Sequence, residues 1–242
     1  MLLLEGRVLL NGSPCTKPSM PVHPEDVLEI AGEDIPYVGR GGLKLEEALR
    51  QFDVAVEGRI CMDIGASTGG FTDCMLQKGA GLVYAIDVGH GQLDPALVRH
   101  PQVINLEGTD VRQLRSEQFS EQPDFCSIDV SFISLGLILP SAYGLLAERA
   151  DCIALIKPQF EAGKANIGKR GIVKSAKVHM QVLTEVTGFA RQVGFHVQGL
   201  CLSPIRGGSG NTEYLAHLSK GSKLPERTFD LQALVRYAGL NG

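Results

Sequence analysis

The stretch Asp63-Ile64-Gly65-Ala66-Ser67-Thr68-Gly69-Gly70-Phe71-Thr72 decides how this chain folds. An apolar run from Ile60 to Ile64 enters it and helical spacing from Gly70 to Lys78 leaves it. It therefore reads as a strand, a glycine turn and a helix N-terminus. Glycines let the backbone turn sharply and let a ligand approach it closely. The helix start adds N–H groups and positive potential. The spacing here is G-x-x-x-G-G, whereas a dinucleotide fold calls for G-x-G-x-x-G and a phosphate loop for Gly-Lys-Ser/Thr. A nicotinamide dehydrogenase is disfavoured on that ground. A ligand carrying a carboxylate fits better than a pyrophosphate, and S-adenosylmethionine has such a group on its methionine part.

Outward from this turn, short apolar runs alternate with helical stretches. Strands are expected at Ile60 to Ile64, Leu82 to Asp87, Val103 to Leu106, Phe125 to Asp129, Cys152 to Ile156 and Phe195 to Cys201. Helices are expected at Gly70 to Lys78, Ala96 to His100, Ile133 to Leu146 and Val178 to Val193, and Leu43, Leu45, Ala48, Leu49 and Phe52 also recur at helical spacing. Such alternation makes an α/β sheet with helices on both faces, whose ligands sit beyond the carboxyl ends of the strands. That rule points to Asp63, Asp87, Asp129 and Lys157, each ending an expected strand. Asp87 follows Asp63 by 24 residues, near the spacing of about 20 at which an acid grips ribose hydroxyls. Taken singly, each acid also reads as a cap or turn residue. Asp110, in Glu107-Gly108-Thr109-Asp110, suits an adenine amino group and suits a helix N-cap almost equally. The candidate cofactor contacts are Asp63, Gly65, Ala66, Ser67, Thr68, Gly69, Gly70, Phe71, Asp87, Asp110 and Asp129.

Composition narrows the function classes. The 242 residues carry 23 Lys+Arg against 27 Asp+Glu, and 44% are hydrophobic, which excludes a mainly disordered chain and a protein that coats nucleic acid by bulk charge. The six cysteines form no C-x-x-C pair and no His-x-x-x-His occurs, so no zinc finger or other metal site is expected. Cysteines inside apolar runs, such as Cys61, read as small buried hydrophobes, and reduced thiols fit a cytoplasmic protein. The start, Met1-Leu2-Leu3-Leu4-Glu5, is short for a signal-peptide core and lacks a basic leader. The uncharged span from Val130 to Ala147 is punctuated by Ser131, Ser134, Gly136, Pro140 and Gly144, so a loop and a buried helix are expected there and no membrane partner. Oligomeric state leaves no trace in the sequence.

A dispersed set of charged residues accompanies the strand ends. Lys44 opens a helix after a double glycine, Asp129 and Lys157 each end a strand, and Glu213 lies in Gly210-Asn211-Thr212-Glu213. Lys157 reads either as a solvated strand end or as an ammonium held in place by an extended Pro158-Gln159-Phe160. Alkylating a ribose hydroxyl needs a nearly deprotonated oxygen in line with the methyl donor. A desolvated lysine can serve as the base, with carboxylates and a second lysine to orient it. Between Lys157 and Lys177 the chain carries a local charge of +5, from Lys157, Lys164, Lys169, Arg170, Lys174 and Lys177 against Glu161. A charge run is usually a solvated face. Beside a catalytic strand end, RNA phosphate contact is the favoured reading, extended by Arg40, Lys44 and Arg206.

Together these motifs resemble the TlyA family, also called hemolysin A: bacterial S-adenosylmethionine-dependent methyltransferases of ribosomal RNA, with an FtsJ-like catalytic domain. The resemblance rests on Tyr37-Val38-Gly39-Arg40-Gly41-Gly42-Leu43-Lys44-Leu45, the Asp63–Thr72 loop, Gly89-His90-Gly91-Gln92-Leu93-Asp94, Asp129-Val130-Ser131-Phe132-Ile133-Ser134, Lys157-Pro158-Gln159-Phe160-Glu161-Ala162-Gly163, Ser203-Pro204-Ile205-Arg206 and Gly210-Asn211-Thr212-Glu213. It implies methylation of a cytidine ribose 2′-hydroxyl and a Lys-Asp-Lys-Glu catalytic set of Lys44, Asp129, Lys157 and Glu213, with Lys157 the central base. It also implies a Rossmann-like class I methyltransferase fold: a mixed, mostly parallel seven-stranded sheet with one antiparallel strand. The partners implied are ribosomal RNA or ribosomal subunits, met through Arg40, Lys164, Lys169, Arg170, Lys174, Lys177 and Arg206.

At the N-terminus, Gly6-Arg7-Val8-Leu9-Leu10-Asn11-Gly12 and Lys17-Pro18-Ser19 resemble the back half of that family's small RNA-binding module, of the kind first described in a small-subunit ribosomal protein. The module's preceding basic helices are missing, which implies a truncated gene product or a misplaced start codon. Residues 1–32 carry a net charge of −2. The expected division is a partial RNA-binding module over 1–32, a linker over 33–42, the methyltransferase domain over 43–220 and a tail over 221–242. The competing functions are an RNA- or ribosome-binding protein without catalysis and a membrane-acting cytolysin. The second is disfavoured because no export signal, spanning segment or amphipathic surface helix is visible.

Overall fold

In the computed structural model the larger unit is built on one seven-stranded sheet, whose strands lie in the order Val103–Glu107, Leu82–Asp87, Ile60–Ile64, Phe125–Ile128, Ala150–Ile156, Tyr214–Lys220 and His196–Leu202. The structure describes residues 3, 8–15, 17–30, 35–168, 170–208, 210–223, 225 and 227–240. The chain divides into two units, Met1–Pro36 and Tyr37–Gly242.

In the first unit, β1 (Val8–Leu10) pairs antiparallel with β2 (Ser13–Pro14) and with β3 (Leu28–Ile30). Asn11 and Gly12 form the β1–β2 turn with φ of 51° and 76°, the left-handed pair a tight hairpin requires. The Asn11 side chain accepts from Val27 N at 2.9 Å and donates to Asp26 at 2.7 Å, which fastens the third strand to the turn. Arg7, part of the motif that resembles an RNA-binding module, lies outside the described residues.

The second unit begins with α1 (Gly41–Phe52), then β4 (Ile60–Ile64), α2 (Gly70–Gln77), β5 (Leu82–Asp87), α3 (Pro95–Val98), β6 (Val103–Glu107), β7 (Phe125–Ile128) and α4 (Leu139–Leu145). It continues through β8 (Ala150–Ile156), α5 (Pro158–Glu161), α6 (Ala176–Val193), β9 (His196–Leu202), β10 (Tyr214–Lys220) and α7 (Leu231–Tyr237). β4 lies inside the sheet, parallel to both β5 and β7. From β4 the chain winds outward through β5 to β6, then returns to lay β7 on the other side of β4. This reversal makes the switch point at which such sheets bind ligands. β10 alone runs antiparallel, to both β8 and β9, as the family resemblance implied.

The strand cores are mostly apolar because helices cover both faces, with Asp63 and Ser127 as a buried polar pair. Met62, Ile64, Ile86, Ile128, Leu139, Leu183 and Val197 belong to one buried cluster. α6 shows how local rules meet packing. Ser175 caps its start, Gly194 at φ 114° ends it, and Val182, Leu183, Val186 and Ala190 line its buried stripe. Each such aliphatic side chain contributes about 1.5–3 kcal/mol by leaving water.

Several boundaries differ from expectation. Tyr37 to Gly42, expected in a linker, fall within the second unit, and α1 already starts at Gly41. The expected tail after residue 220 contains α7, whose Val235 and Ala238 join the core cluster. Pro158-Gln159-Phe160 is not extended: proline's fixed φ suits a first helical turn, and Pro158 opens the one-turn α5. The expected helix from Ile133 to Leu146 is a 3₁₀ turn at Leu135–Leu137 followed by α4. No helix among the described residues is long and apolar enough to cross a membrane.

Candidate active site

The chemistry-bearing residues gather where the parallel strands end. β4 and β7 run in register to Ile64 and Ile128, and Asp129 N bonds Ile64 O at 2.9 Å. The loops after these strands are pressed together. Gly65, at φ 86°, lies so close to Asp129 O that a Cβ there would collide with it. Glu213 reaches the same edge by a different route. Because β10 is antiparallel, its first residue, Tyr214, pairs with Ile156 at the end of β8, so Glu213 stands opposite Lys157.

Two lysine–carboxylate pairs result. Lys157 Nζ lies 2.5 Å from Asp129 Oδ1 and donates to Ser131 Oγ at 2.9 Å. Lys44 Nζ donates to Glu213 Oε2 at 2.7 Å, and Gln159 Nε2 donates to the other Glu213 oxygen at 2.9 Å. The pairs are thus linked through the Lys157-Pro158-Gln159 turn. They are not equivalent. Lys157 and Asp129 line a cavity, whereas Glu213 is 2% exposed and lies with Lys44 in a layer behind it.

Two adjoining cavities open at this edge. The larger, of about 450 Å³, is lined by Ile86, Asp87, Asp110 and Val130 among others, and the smaller, of about 220 Å³, by Arg40, Ala66, Thr68, Phe71 and Lys157 among others. They share Gly65, Ser67, Asp129 and Ser131, so they form one bent cleft. At the far end of the first, Asp87 accepts from Ser67 N at 2.8 Å and Gly89 N at 2.7 Å. Each of its oxygens keeps acceptor capacity for a ribose hydroxyl. Glu107 accepts from Gln92 N at 2.6 Å and Leu93 N at 3.1 Å, and these bonds with Asn105 hold its carboxyl down at about 2. They fix the Gln92 loop against the cleft. Phe132 stands at the mouth with φ 64°, 91% exposed, its ring centroid 4.9 Å from that of Phe160. A bulky side chain at positive φ is strained, and an aromatic left in water offers a stacking face.

Residues 37–220 match the FtsJ-like methyltransferase family. The chain belongs to this family. Residues 1–28 match the S4 domain. Relatives include the 16S/23S rRNA (cytidine-2′-O)-methyltransferase TlyA of Mycobacterium tuberculosis, 40% identical over 90% of this chain and 81% of that protein. A Bacillus subtilis protein provisionally named the rRNA methyltransferase YqxC is 46% identical over 93% of this chain and 82% of its own length. A solved protein from Streptococcus thermophilus, provisionally named a hemolysin, superposes with a TM-score of 0.85 at 46% identity, over 98% of this chain and 87% of that one.

S-adenosylmethionine is the cofactor of this family, and the residues of the bent cleft fit that molecule: an acid at the end of β5 for ribose, an apolar wall of Ile86, Val130 and Ile133, and a glycine turn at a helix start. The expected contacts divide. Gly65, Ala66, Ser67, Thr68, Gly70, Phe71, Asp87 and Asp129 line the cleft. Asp63 does not. It is fully buried beneath the turn, accepting from Thr72 Oγ1 at 2.7 Å and Ser127 Oγ at 2.9 Å, and burial pushes its carboxyl up to about 6. Gly69 faces away too, because a Cβ there would strike Leu93 and Leu97 on the α3 side. Asp110 lines the cleft, but it caps the turn at Val111–Gln113 and grips Arg112 through both oxygens, at 2.9 and 2.6 Å. Its carboxylate is thereby committed to the cap.

Of the expected RNA contacts, Arg40 lines the smaller cavity beside Lys157. Lys164, Arg170, Lys174 and Lys177 are exposed on the segment after α5, and Arg206 is exposed on the loop between β9 and β10. Lys169 lies outside the described residues. Sequence reasoning assigned no role to Ser131, Gln159 or Phe132. Asn211 was also missed: it accepts from Val173 N at 3.1 Å and donates to Gly171 O at 2.9 Å, tying the basic segment to the loop that carries Glu213.

Proposed function

We propose that this enzyme transfers the methyl group of S-adenosylmethionine to the ribose 2′-hydroxyl of a cytidine in ribosomal RNA, with Lys157 as general base. The observation that carries this reading is Lys157 itself, pinned by Asp129 and Ser131 where the two halves of the cleft meet. A neutral amine has two N–H groups and one lone pair. With the nitrogen held by its hydrogen bond to Ser131 and its ion pair with Asp129, the lone pair of the neutral form would be turned to the substrate hydroxyl. The cofactor supplies an electrophilic methyl on a positive sulfur. Lys157 takes the hydroxyl proton as the 2′-oxygen bonds the methyl carbon, and the electrons of the broken carbon–sulfur bond remain on sulfur. Asp129 stabilises the ammonium that forms. Alignment in the bent cleft supplies much of the remaining rate. Phe132 offers its face to the target base, and Arg40, Lys164, Arg170, Lys174, Lys177 and Arg206 take phosphates. The choice of ribosomal RNA and cytidine rests on the name of the Mycobacterium relative and the match of residues 1–28 to the S4 domain.

The test is mass spectrometry of nucleosides after incubating ribosomal subunits with the enzyme and the methyl donor. 2′-O-methylcytidine is expected from the wild type, and its rate of formation is expected to be about a thousandfold lower with Lys157→Ala. Equal product from the variant would remove Lys157 from the base role.

A further inference from the structure

The loop after β7 holds a conformation that its own sequence does not explain. Phe132 lies at φ 64° with its side chain 91% exposed, so burial does not keep it there. A bulky residue in this region persists only where its surroundings fix it. The segment from Lys157 to Glu161 fixes it from both sides. Lys157 binds the loop ahead of Phe132, through Asp129 and Ser131 Oγ. Glu161 binds it beyond Phe132 and uses both carboxylate oxygens to do so: Oε2 accepts from Ser134 Oγ at 2.6 Å and Oε1 from Leu135 N at 2.8 Å. Hydrogen bonds to a carboxylate are about twice as strong as neutral ones.

Ser131 and Ser134 are thus both anchored, and only Phe132 and Ile133 lie between them. Ile133 lines the larger cavity and packs against the core cluster, so the turn is taken up at Phe132, whose ring is left at the mouth. Phe160, one residue before Glu161, meets that ring at 4.9 Å between centroids and 51° between planes. The Ser134 hydroxyl also accepts from Gly136 N at 3.0 Å, which joins the Glu161 contact to the 3₁₀ turn at Leu135–Leu137. The two anchors differ in one respect. Lys157 lines the cleft, whereas Glu161 lines neither of its cavities. Glu161 therefore reaches the substrate only through the loop it holds.

We propose that Glu161 is a positioning residue for the RNA substrate, holding Phe132 where its ring receives the target base. This rests on the reading above that Phe132 stacks on that base. The test has two readouts on the full chain. First, the protein contains no tryptophan, so Phe132→Trp places a lone fluorophore at the mouth. Its anisotropy without RNA is expected to fall when Glu161→Ala is added. Glu161→Gln is expected to recover most of it, because the amide can still accept from Leu135 N and donate to Ser134 Oγ. Second, ribosomal subunits are titrated at saturating S-adenosylmethionine. Glu161→Ala is expected to raise KM by about tenfold, as Phe132→Ala does, with kcat little changed and the double variant no worse than either alone. Ser134→Ala removes one of the two contacts and shifts both readouts the same way by less, which keeps the proposal testable if Glu161→Ala folds poorly. Unchanged anisotropy, unchanged KM in the Glu161 and Ser134 variants, or multiplied effects in the double variant overturns the proposal and leaves the stacking reading in place. Phe132→Ala without effect on KM defeats the stacking reading, and the proposal with it.

Discussion

The wall of the cleft and the layer beneath it use the same side chains for opposite ends. Lys157 and Asp129 form an ion pair in the wall, and Lys44 and Glu213 form one a layer behind. Asp87 on the rim and Asp63 under the turn each accept two hydrogen bonds. What separates the members of each couple is access. A charged pair that lines the cleft can meet substrate and change its protonation during a reaction, whereas one that does not line it, Lys44 with the buried Glu213, fixes where chain segments lie. Lys44 joins α1 to the start of β10, and Asp63 joins α2 to β7. On the proposed mechanism, the set of Lys44, Asp129, Lys157 and Glu213 divides into a working pair and a bracing pair.

This contrast can be broken experimentally. In Lys157→Ala, kcat is expected to fall by about a thousandfold, within the range for removing a general base, while affinity for S-adenosylmethionine and the unfolding midpoint stay near wild type. A large loss of stability would move Lys157 into the bracing layer. Lys44→Met should do the reverse. It leaves Glu213 charged and buried, costing about 3–5 kcal/mol in urea unfolding, and Lys44→Met/Glu213→Leu should regain most of it. If the double variant is stable and binds cofactor but is inactive, Lys44 or Glu213 takes part in the chemistry and the division fails.

The layer beneath also has a signature in pH. Burial holds the Asp63 carboxyl at about 6, above the 3.8 of a free aspartate. The unfolded chain therefore releases this proton first, and stability falls as pH rises from about 4 to about 6. Asp63→Asn has no proton to lose, so its stability relative to wild type should improve by about 3 kcal/mol between about pH 4 and pH 7. Denaturant curves at the two pH values check the sign. A smaller effect is expected at the mouth. Phe132→Ala should raise KM for RNA by about tenfold with the unfolding midpoint unchanged, because the ring is exposed and its one ring contact among the described residues is a tilted one with Phe160.

The turn at Asp63–Thr72 and the strands feeding it were legible because they are local: an apolar run, glycines, then helical spacing. All six strands expected in the larger unit are present within two residues of the expected ends. β10 escaped because Tyr-Leu-Ala-His-Leu-Ser-Lys lacks alternation, being buried along most of its length, and its pairing partners lie far off in the chain. The family resemblance supplied Glu213, and spacing alone did not. Asp63 and Asp87 look alike in sequence, each ending a buried strand before a glycine. Only the fold shows that Thr72 and Ser127 close over the first and leave the second open to the cleft.

The reversed direction of β10 gives the protein freedom that its other strands lack. A parallel strand at that place would need a crossover, and its incoming connection would lie at the opposite end of the sheet. As built, β9 and β10 are joined by a hairpin loop over Ser203 to Glu213, which opens beside the cleft. Hairpin loops lengthen at little cost to the strands they join. The rim proposed to meet RNA can thus be recut at the exposed positions of this loop, such as Pro204 and Gly208, while Asn211, Glu213, the sheet and the Lys157 pair stay as they are.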